Sequence, residues 1–170
     1  MGHEITHGYD DKGSEYDARG HVVDWWTEHT RIEFFQKLEC FRIQYGSIVD
    51  PATNLKLNAD TTMGENIADN AGVRVAYAAH QDASLDFQEV TLPGLENFTS
   101  DQLFFVSYAL VWCENALPSW NAQKIKTQVH PPNKYRVNVP LKNLEQFTAA
   151  FMCKKGSAMS LPDGERCVLW

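Results

Sequence analysis

The chain has 170 residues, of which 44% are hydrophobic and 22% charged, a balance that suits one globular domain with a real core. Its formal net charge of −7 argues against a nucleic-acid partner, because phosphates are bound by basic surfaces. The longest apolar stretch, around residues 103–113, is too short to span a bilayer, so we expect no membrane contact from this segment.

Two long helices are predicted in the first half of the chain. Residues 1–8 predict the remains of a helix, and residues 9–24, rich in Asp and Gly, predict a loop. Helical spacing then predicts a helix from about Trp25 to Tyr45, with Thr27 as a possible N-cap and Gly46 as a possible stop. The apolar face expected for this helix is Trp26, Ile32, Phe35, Leu38 and Ile43.

After an irregular stretch over residues 46–61, a second helix is predicted from residues 60–62 to about Ala83. Its expected apolar set includes Ile67, Ala71, Val75 and Ala78. Pro93-Gly94 predicts a loop.

The second half predicts shorter helices. Thr99 or Ser100 could cap a helix that runs to about Asn115. Residues 116–142 contain four prolines and predict mostly loop, followed by a helix from about Leu144 to Cys153 and a loop over residues 154–170. Because strand signals are faint, the predicted fold class is mainly α.

The chemistry-bearing motif is His3-Glu4-Ile5-Thr6-His7, an HExxH sequence. Histidines at positions i and i+4 lie on one face of a helix, so both imidazoles can bind one zinc ion. Glu4 projects beside them and could take a proton from a water at the metal. Matches to this short motif also arise by chance, so the motif alone leaves the zinc site undecided.

The segment Gly64-Glu65-Asn66-Ile67-Ala68-Asp69 supplies the carboxylates that such a site requires. Glu65 is a candidate third ligand, and Asp69 lies one turn further along the same helix face. A metal-bound histidine usually donates its other N–H to a carboxylate, which would be the role of Asp69. The alternative is that Glu65 and Asp69 belong to a solvated acidic face.

Several segments together resemble the neprilysin and endothelin-converting-enzyme family of zinc metalloendopeptidases. They are His3–Asp11 (HEITHGYDD), Val23-Asp24-Trp25-Trp26, Leu57-Asn58, Gly64–Asn70 (GENIADN), Pro93-Gly94-Leu95, Gln102–Phe105, Val111-Trp112-Cys113 and Cys167–Trp170. The resemblance covers essentially the whole chain. It implies that residues 1–170 are the C-terminal part of a thermolysin-like zincin catalytic domain, truncated at its N-terminus.

The resemblance also implies roles for particular residues. His3, His7 and Glu65 match the zinc ligands, for one Zn²⁺ per chain, and Glu4 matches the general base. Asp69 matches the residue that orients a ligand histidine. The remaining matches are His130, which would stabilise the oxyanion, Arg136, which would bond the substrate carbonyl, and Val111 and Trp112, which would wall the substrate pocket. Without the resemblance, His130 and Arg136 would be surface residues of a loop, and Val111 and Trp112 core residues.

One position departs from the family pattern. Many members carry Asp two positions before the oxyanion histidine, where this chain has Gln128. The difference concerns how the neighbouring residue adjusts the properties of His130, and not the presence of this histidine.

The expected function is hydrolysis of short peptides on the amino side of hydrophobic residues. The alternative is a non-catalytic zinc-binding piece, because the family's substrate-binding edge strand and N-terminal lobe would precede residue 1. On that ground we expect the chain alone to be a weak enzyme or none.

The expected location is extracellular or at the cell surface, although this chain carries no targeting signal. The Asn97-Phe98-Thr99 sequon is compatible with that context. The resemblance pairs Cys40 with Cys167, and pairs Cys113 and Cys153 with cysteines of the N-terminal lobe.

Overall fold

The computed structural model describes residues 1–86 and 91–170, and it is mainly helical, as predicted. Among the described residues, seven α-helices follow one another. They are α1 (Gly2–Thr6), α2 (Glu28–Gly46), α3 (Met63–Asp86), α4 (Ser100–Val111), α5 (Pro118–Thr127), α6 (Asn133–Lys142) and α7 (Glu145–Ala150). Short 3-10 turns cover His7–Tyr9, Gly13–Glu15 and Asp163–Glu165. None of the helices among the described residues has the length and hydropathy needed to cross a bilayer.

A small antiparallel hairpin separates α2 from α3. Strand β1 (Val49–Asp50) pairs with β2 (Leu55–Lys56), in the register Val49 with Lys56 and Asp50 with Leu55. Asn54 has a φ of 56°, a left-handed conformation that Asn tolerates better than most residues, and this conformation closes the turn. The predicted irregular stretch therefore contains two short strands.

Helix α2 begins where the sequence predicts, but its buried face is a different one. Thr27 is the N-cap and accepts a hydrogen bond from the backbone N–H of Thr30. The side chains that the core buries are Phe34, Leu38, Phe41 and Tyr45. Of the predicted face, Leu38 is buried and Trp26 packs against the core from just before the helix. The prediction is wrong for Ile32, Phe35 and Ile43, which are 48%, 58% and 64% exposed. The helix carries apolar residues on more than one side, and spacing alone does not choose between them.

The region over residues 116–142 corrects the prediction of a loop, since it contains α5 and α6. Pro118 occupies the first turn of α5, and Pro132 is the residue before α6. Proline is tolerated at these places because the first backbone N–H groups of a helix have no intrahelical partner. Pro140 lies past the first turn of its helix, near the end of α6.

The other helix limits differ from the predictions by a few residues. Helix α4 ends at Val111 and not at Asn115, and α7 is shorter than predicted. Thr99 caps α4 in a reciprocal capping box with Gln102, as its position before the helix suggested.

Two hydrophobic clusters form the core, and α3 contributes to both. The first surrounds α2, the start of α3 and the C-terminal tail, with Phe41, Tyr45 and Ile67 almost fully buried. The second lies between α3, α4 and α7, where Tyr77 stacks on Phe105 with 5.1 Å between ring centroids. A disulfide between Cys40 and Cys167 ties the tail to α2, so the predicted pairing is confirmed. Cys113 is exposed and Cys153 half-buried, and they are not paired with each other.

Candidate metal centre

Helix α1 lies directly on α3 because two glycines allow their backbones to meet. A Cβ added at Gly72 would come within 2.6 Å of the backbone nitrogen of His3. A Cβ added at Gly2 would come within 2.6 Å of the carbonyl oxygen of Gly72. No side chain fits at either position without moving one helix. This close approach carries the HExxH segment to the part of α3 that bears Glu65 and Asp69.

Three side chains from the two helices converge on one point. Nε2 of His3 lies 3.0 Å from Nε2 of His7, and 3.3 Å from Oε2 of Glu65. Nε2 of His7 lies 3.6 Å from Oε1 of Glu65. One ligand atom from each residue falls within 4.8 Å of the others. Two imidazole nitrogens and a carboxylate oxygen form a donor set that suits zinc, so these residues fit the ion that the motif predicts.

The outer nitrogen of His3 faces Asp69. Nδ1 of His3 lies 2.8 Å from Oδ1 of Asp69, whose side chain is almost completely buried. The two atoms are within hydrogen-bond distance, although Nδ1 makes no hydrogen bond of regular geometry. The contact places Asp69 where it can hold the ring with Nε2 directed at the shared point.

Asp10 has the corresponding position behind His7, and sequence reasoning missed it. Its Oδ2 lies 2.7 Å from Nδ1 of His7, while Oδ1 accepts the backbone N–H groups of Lys12 and Gly13 at 2.9 and 2.7 Å. Asp10 is buried despite lying in a segment predicted as loop. The signal available in the sequence was its spacing, three residues after His7, which one turn of 3-10 helix brings to the same side.

Arg136 lies in α6 and not in a loop, and it is 6% exposed. Its Nε and Nη2 donate to both oxygens of Asp69, at 2.7 and 2.9 Å, and Nη2 also donates to Oε2 of Glu65 at 3.1 Å. Its guanidinium lies 4.1 Å from the centre of the Trp112 ring, and its carbonyl accepts the hydroxyl of Tyr108 at 2.7 Å. The arginine therefore compensates two carboxylates in a site that excludes most of the solvent.

The charges in the cluster shift one another's pKa values. Contacts with Asp69 and then Glu65 raise the pKa of His3 to about 9, against the opposing effect of burial. Burial alone would raise the pKa of Glu65, but the hydrogen bond from His3 and the charges of His130 and Arg136 lower it. Metal binding requires a neutral imidazole, so a zinc ion at this point must displace a proton from His3.

The remaining predicted residues differ in how near they lie to this cluster. His130 belongs to it, with Nε2 3.1 Å from Oε2 of Glu65 and a side chain that is 44% exposed. Glu4 is exposed on α1, between the two histidines in sequence. Trp112 reaches the cluster through Arg136. Val111 is 79% exposed, so it is not a core residue of this chain, and it lines a separate groove beside α4.

The model of the family described as Peptidase family M13 matches residues 1–167. The chain belongs to this family. M13 is a family of metallopeptidases, so the family-level predictions of fold class and of an enzyme are confirmed.

Curated M13 relatives match over the whole of this chain. It is 46% identical to mouse membrane metallo-endopeptidase-like 1 and 41% identical to human neprilysin, over 172 residues in each case. All of this chain and 22% of each relative are covered. The chain thus spans less than a quarter of the length of these relatives.

Solved structures give the same fold. A zinc metalloprotease Zmp1 of Mycobacterium tuberculosis, in complex with an inhibitor, matches with a TM-score of 0.91 and 30% identity, covering 99% of this chain and 26% of that one. PepO of Lactobacillus rhamnosis matches with a TM-score of 0.81 and 31% identity, covering 99% and 25%.

Proposed function

We propose that this M13 chain supplies the zinc site and the main catalytic groups of a metalloendopeptidase that hydrolyses short peptides. The observation that carries the proposal is the convergence of His3, His7 and Glu65 from two helices. Three protein ligands are typical of a catalytic zinc site, which keeps a position open, whereas structural zinc sites use four. Bound zinc would supply Lewis acidity that polarises the scissile carbonyl and lowers the pKa of a water molecule.

Glu4 is the proposed general base. It lies between the two histidines in sequence and its carboxylate is exposed, as a group that meets substrate must be. Glu4 would accept a proton from the attacking water and return it to the leaving amine. A general base must have a free carboxylate, which an ion pair with a buried cation would not leave available.

His130 and Arg136 are the proposed donors to developing negative charge and to the substrate. The exposed part of His130 lies beside Glu65, where an N–H could stabilise the tetrahedral oxyanion. Arg136 uses Nε and Nη2 for Asp69 and Glu65, which leaves Nη1 as the donor for a substrate carbonyl. Asp69 would fix both this arginine and His3, so it acts by positioning them.

For the substrate we propose cleavage on the amino side of hydrophobic residues. Trp112, whose ring centre lies 4.1 Å from the guanidinium of Arg136, offers an apolar surface beside the proposed carbonyl donor. Val111 lines the apolar groove of about 640 Å³ between α3 and α4. Trp112 and Val111 therefore both offer contacts for a hydrophobic side chain. The Cys40–Cys167 disulfide favours an oxidising location, and we propose the cell surface or the extracellular space.

The test is hydrolysis of a peptide with one internal hydrophobic residue by the natural protein, compared with its Glu4→Gln variant at equal zinc occupancy. We expect cleavage before the hydrophobic residue, loss of activity on chelation, and loss of kcat in the variant by roughly a hundredfold or more. A Glu4→Gln protein as active as the parent would refute the role of the base.

A second candidate is a zinc-binding chain without hydrolytic activity, since His3, His7 and Glu65 suffice to hold a metal ion. It predicts zinc bound at His3, His7 and Glu65 but no cleavage of any hydrophobic peptide, with or without Glu4. Mass spectrometry of the reaction mixture separates the two candidates.

A further inference from the structure

A second cluster of charged side chains lies away from the metal centre, where the C-terminal tail passes α3 and α7. A cavity of about 230 Å³ opens there. Two arginines, Arg74 and Arg166, and two acids, Glu145 and Asp163, line it together with Asn143 and Val168. The cavity is smaller than the pockets that hold drug-sized ligands, so it suits a ligand of a few atoms.

Arg166 makes two long ion pairs with carboxylates but has a buried nitrogen that donates to no described residue. Its side chain is only 12% exposed, and its Nε is buried without a hydrogen-bond partner among the described residues. Nη1 lies 3.7 Å from carboxylates of Glu145 and Asp163, beyond hydrogen-bond distance. Both acids are more than 70% exposed, and Asp163 is already paired with Lys155 at 3.0 Å.

Arg74 brings a second guanidinium to the same cavity. It is half-buried on α3, and its Nη2 donates to the carbonyl of Asn143 over a long 3.3 Å. Burial, and then the nearby charge of Arg166, lower the pKa of Arg74. Because these two partly buried cations repel each other, an anion between them would be favoured by relieving that repulsion.

Hydrogen bonds and a disulfide tie together the segments that carry these arginines. The amide oxygen of Asn143 accepts the backbone N–H of Cys167 at 3.2 Å, and its Nδ2 donates to Asn70 at 2.8 Å. Cys167 is in turn held by its disulfide with Cys40. Arg166 is the residue directly before Cys167, and Arg74 lies on α3. Because both backbones are held in this way, little ordering of the site is needed when a ligand binds.

We propose that Arg74 and Arg166 form a binding site for a small free oxyanion, with inorganic phosphate as the probe. Planar guanidinium groups bind the oxygens of such ions in pairs of charge-assisted hydrogen bonds. Non-specific anion attraction is disfavoured in a chain of net charge −7, so saturable binding requires a defined local site. This proposal does not depend on the peptidase function.

The test is calorimetric titration of the natural protein with phosphate, at constant ionic strength maintained with chloride. We expect saturable binding at one site, weakened roughly tenfold or more in Arg74→Gln and in Arg166→Gln, as for loss of one charge-assisted contact. The matched control is Arg42→Gln, since Arg42 is an exposed arginine of α2 paired with Asp60, and this variant should bind phosphate like the parent.

Glu145→Gln should change the affinity for phosphate in the opposite direction, and it does not disturb the core. The exposed Glu145 competes with the ligand for Arg166, so its neutralisation should tighten phosphate binding several-fold. If Arg166→Gln fails to fold, this variant still decides the proposal. The proposal is overturned if phosphate binding is absent or not saturable. It is also overturned if binding is unchanged in Arg74→Gln, Arg166→Gln and Glu145→Gln. Binding that persists in Arg166→Gln and disappears with a zinc chelator overturns it as well, because phosphate then occupies the metal centre.

Discussion

The two halves of α3 differ in which of their side chains are buried. From Asn66 to Val73 every residue is buried, and four of the residues in the first turns are polar or charged: Glu65, Asn66, Asp69 and Asn70. From Arg74 onward the helix becomes a surface helix, with Val75 51% exposed and Tyr77 as its main buried contact. The first half buries polar groups that have partners, whereas the second half packs by ordinary amphipathicity.

This difference shows what the metal centre requires of the fold. Asn70 donates to the hydroxyl of buried Tyr45, and Asp69 compensates Arg136. Asp69 and Asn70 thus have partners from other elements, whereas Asn66 donates only to the neighbouring Thr62. Such networks are costly when one member is removed, because the remaining partner stays buried and unpaired. The substitutions below test whether the two halves differ as much as their contacts indicate.

The largest effect is expected from Asp69→Ala, with Asp82→Ala as its control on the same helix. Removal of Asp69 leaves Arg136 buried with only Glu65 near its charge, so we expect a loss of about 3–5 kcal/mol of unfolding free energy. Asp82 is exposed, and its removal should change stability by about 0.5 kcal/mol or less. Urea denaturation of the metal-free proteins measures both. Equal losses would contradict the distinction between the halves.

Gly72→Ala should cost about 1–3 kcal/mol, because the new methyl group collides with the backbone of His3. It should also weaken zinc binding, since α1 must shift and His3 with it. Gly164→Ala is the control, because a Cβ there meets nothing within 4 Å. Thermal unfolding and a competition assay for zinc give the two readouts. Unchanged zinc affinity in Gly72→Ala would show that the contact between α1 and α3 does not position the ligands.

Helix α6, which packs on the first half of α3, should be less stable in acid, because its contacts with the carboxylate of Asp50 weaken when that group is protonated. Burial would raise the pKa of Asp50, but hydrogen bonds from Lys134, Thr53 and Tyr135 lower it to about 2. The contribution is therefore present above the unfolded pKa of 3.8 and is lost as pH falls toward 2. It amounts to roughly 2 kcal/mol. Asp50→Asn should lack this acid-dependent loss, and parallel stability curves for the two proteins between pH 5 and 2 would contradict it.

The smallest effect is expected where the second half of α3 meets α4. Thr99→Ala removes the N-cap of α4 and should cost about 1 kcal/mol, without a change in zinc binding. Thr61→Ala, at an exposed threonine, should have almost no effect. Circular dichroism during urea denaturation compares the two. A loss of zinc from Thr99→Ala would mean that the two halves are coupled more tightly than their contacts indicate.

The residues with fixed spacing could be predicted from sequence, and those that depend on tertiary contacts could not. His3 and His7 are four residues apart, and Glu65 and Asp69 are four residues apart, so helical geometry alone aligns each pair. Asp10 was missed because a turn, and not a regular helix, brings it to His7. Spacing alone does not select Phe34 for the buried face of α2, because its aromatic contacts come from outside the helix: Trp26 just before it and Trp170 at the C-terminal end.

Helix α6 illustrates the same limit at the level of secondary structure. Its sequence carries prolines before and within it, which predict a loop when each is treated as a helix breaker. Tertiary contacts offset this weak propensity, since Tyr135, Val139 and Leu141 are buried. Arg136 was consequently expected on a loop, and its pairing with Asp69 was not foreseen.

The zinc content of the natural protein and its variants tests the central claim most directly. After dialysis against zinc-free buffer, we expect about one zinc per chain in the parent and in Glu4→Gln, because Glu4 is no ligand. His3→Ala, His7→Ala and Glu65→Ala should each hold far less, while Glu39→Ala, at an exposed glutamate of α2, should hold as much as the parent. Full zinc occupancy in Glu65→Ala, or none in the parent, would contradict the proposed metal centre.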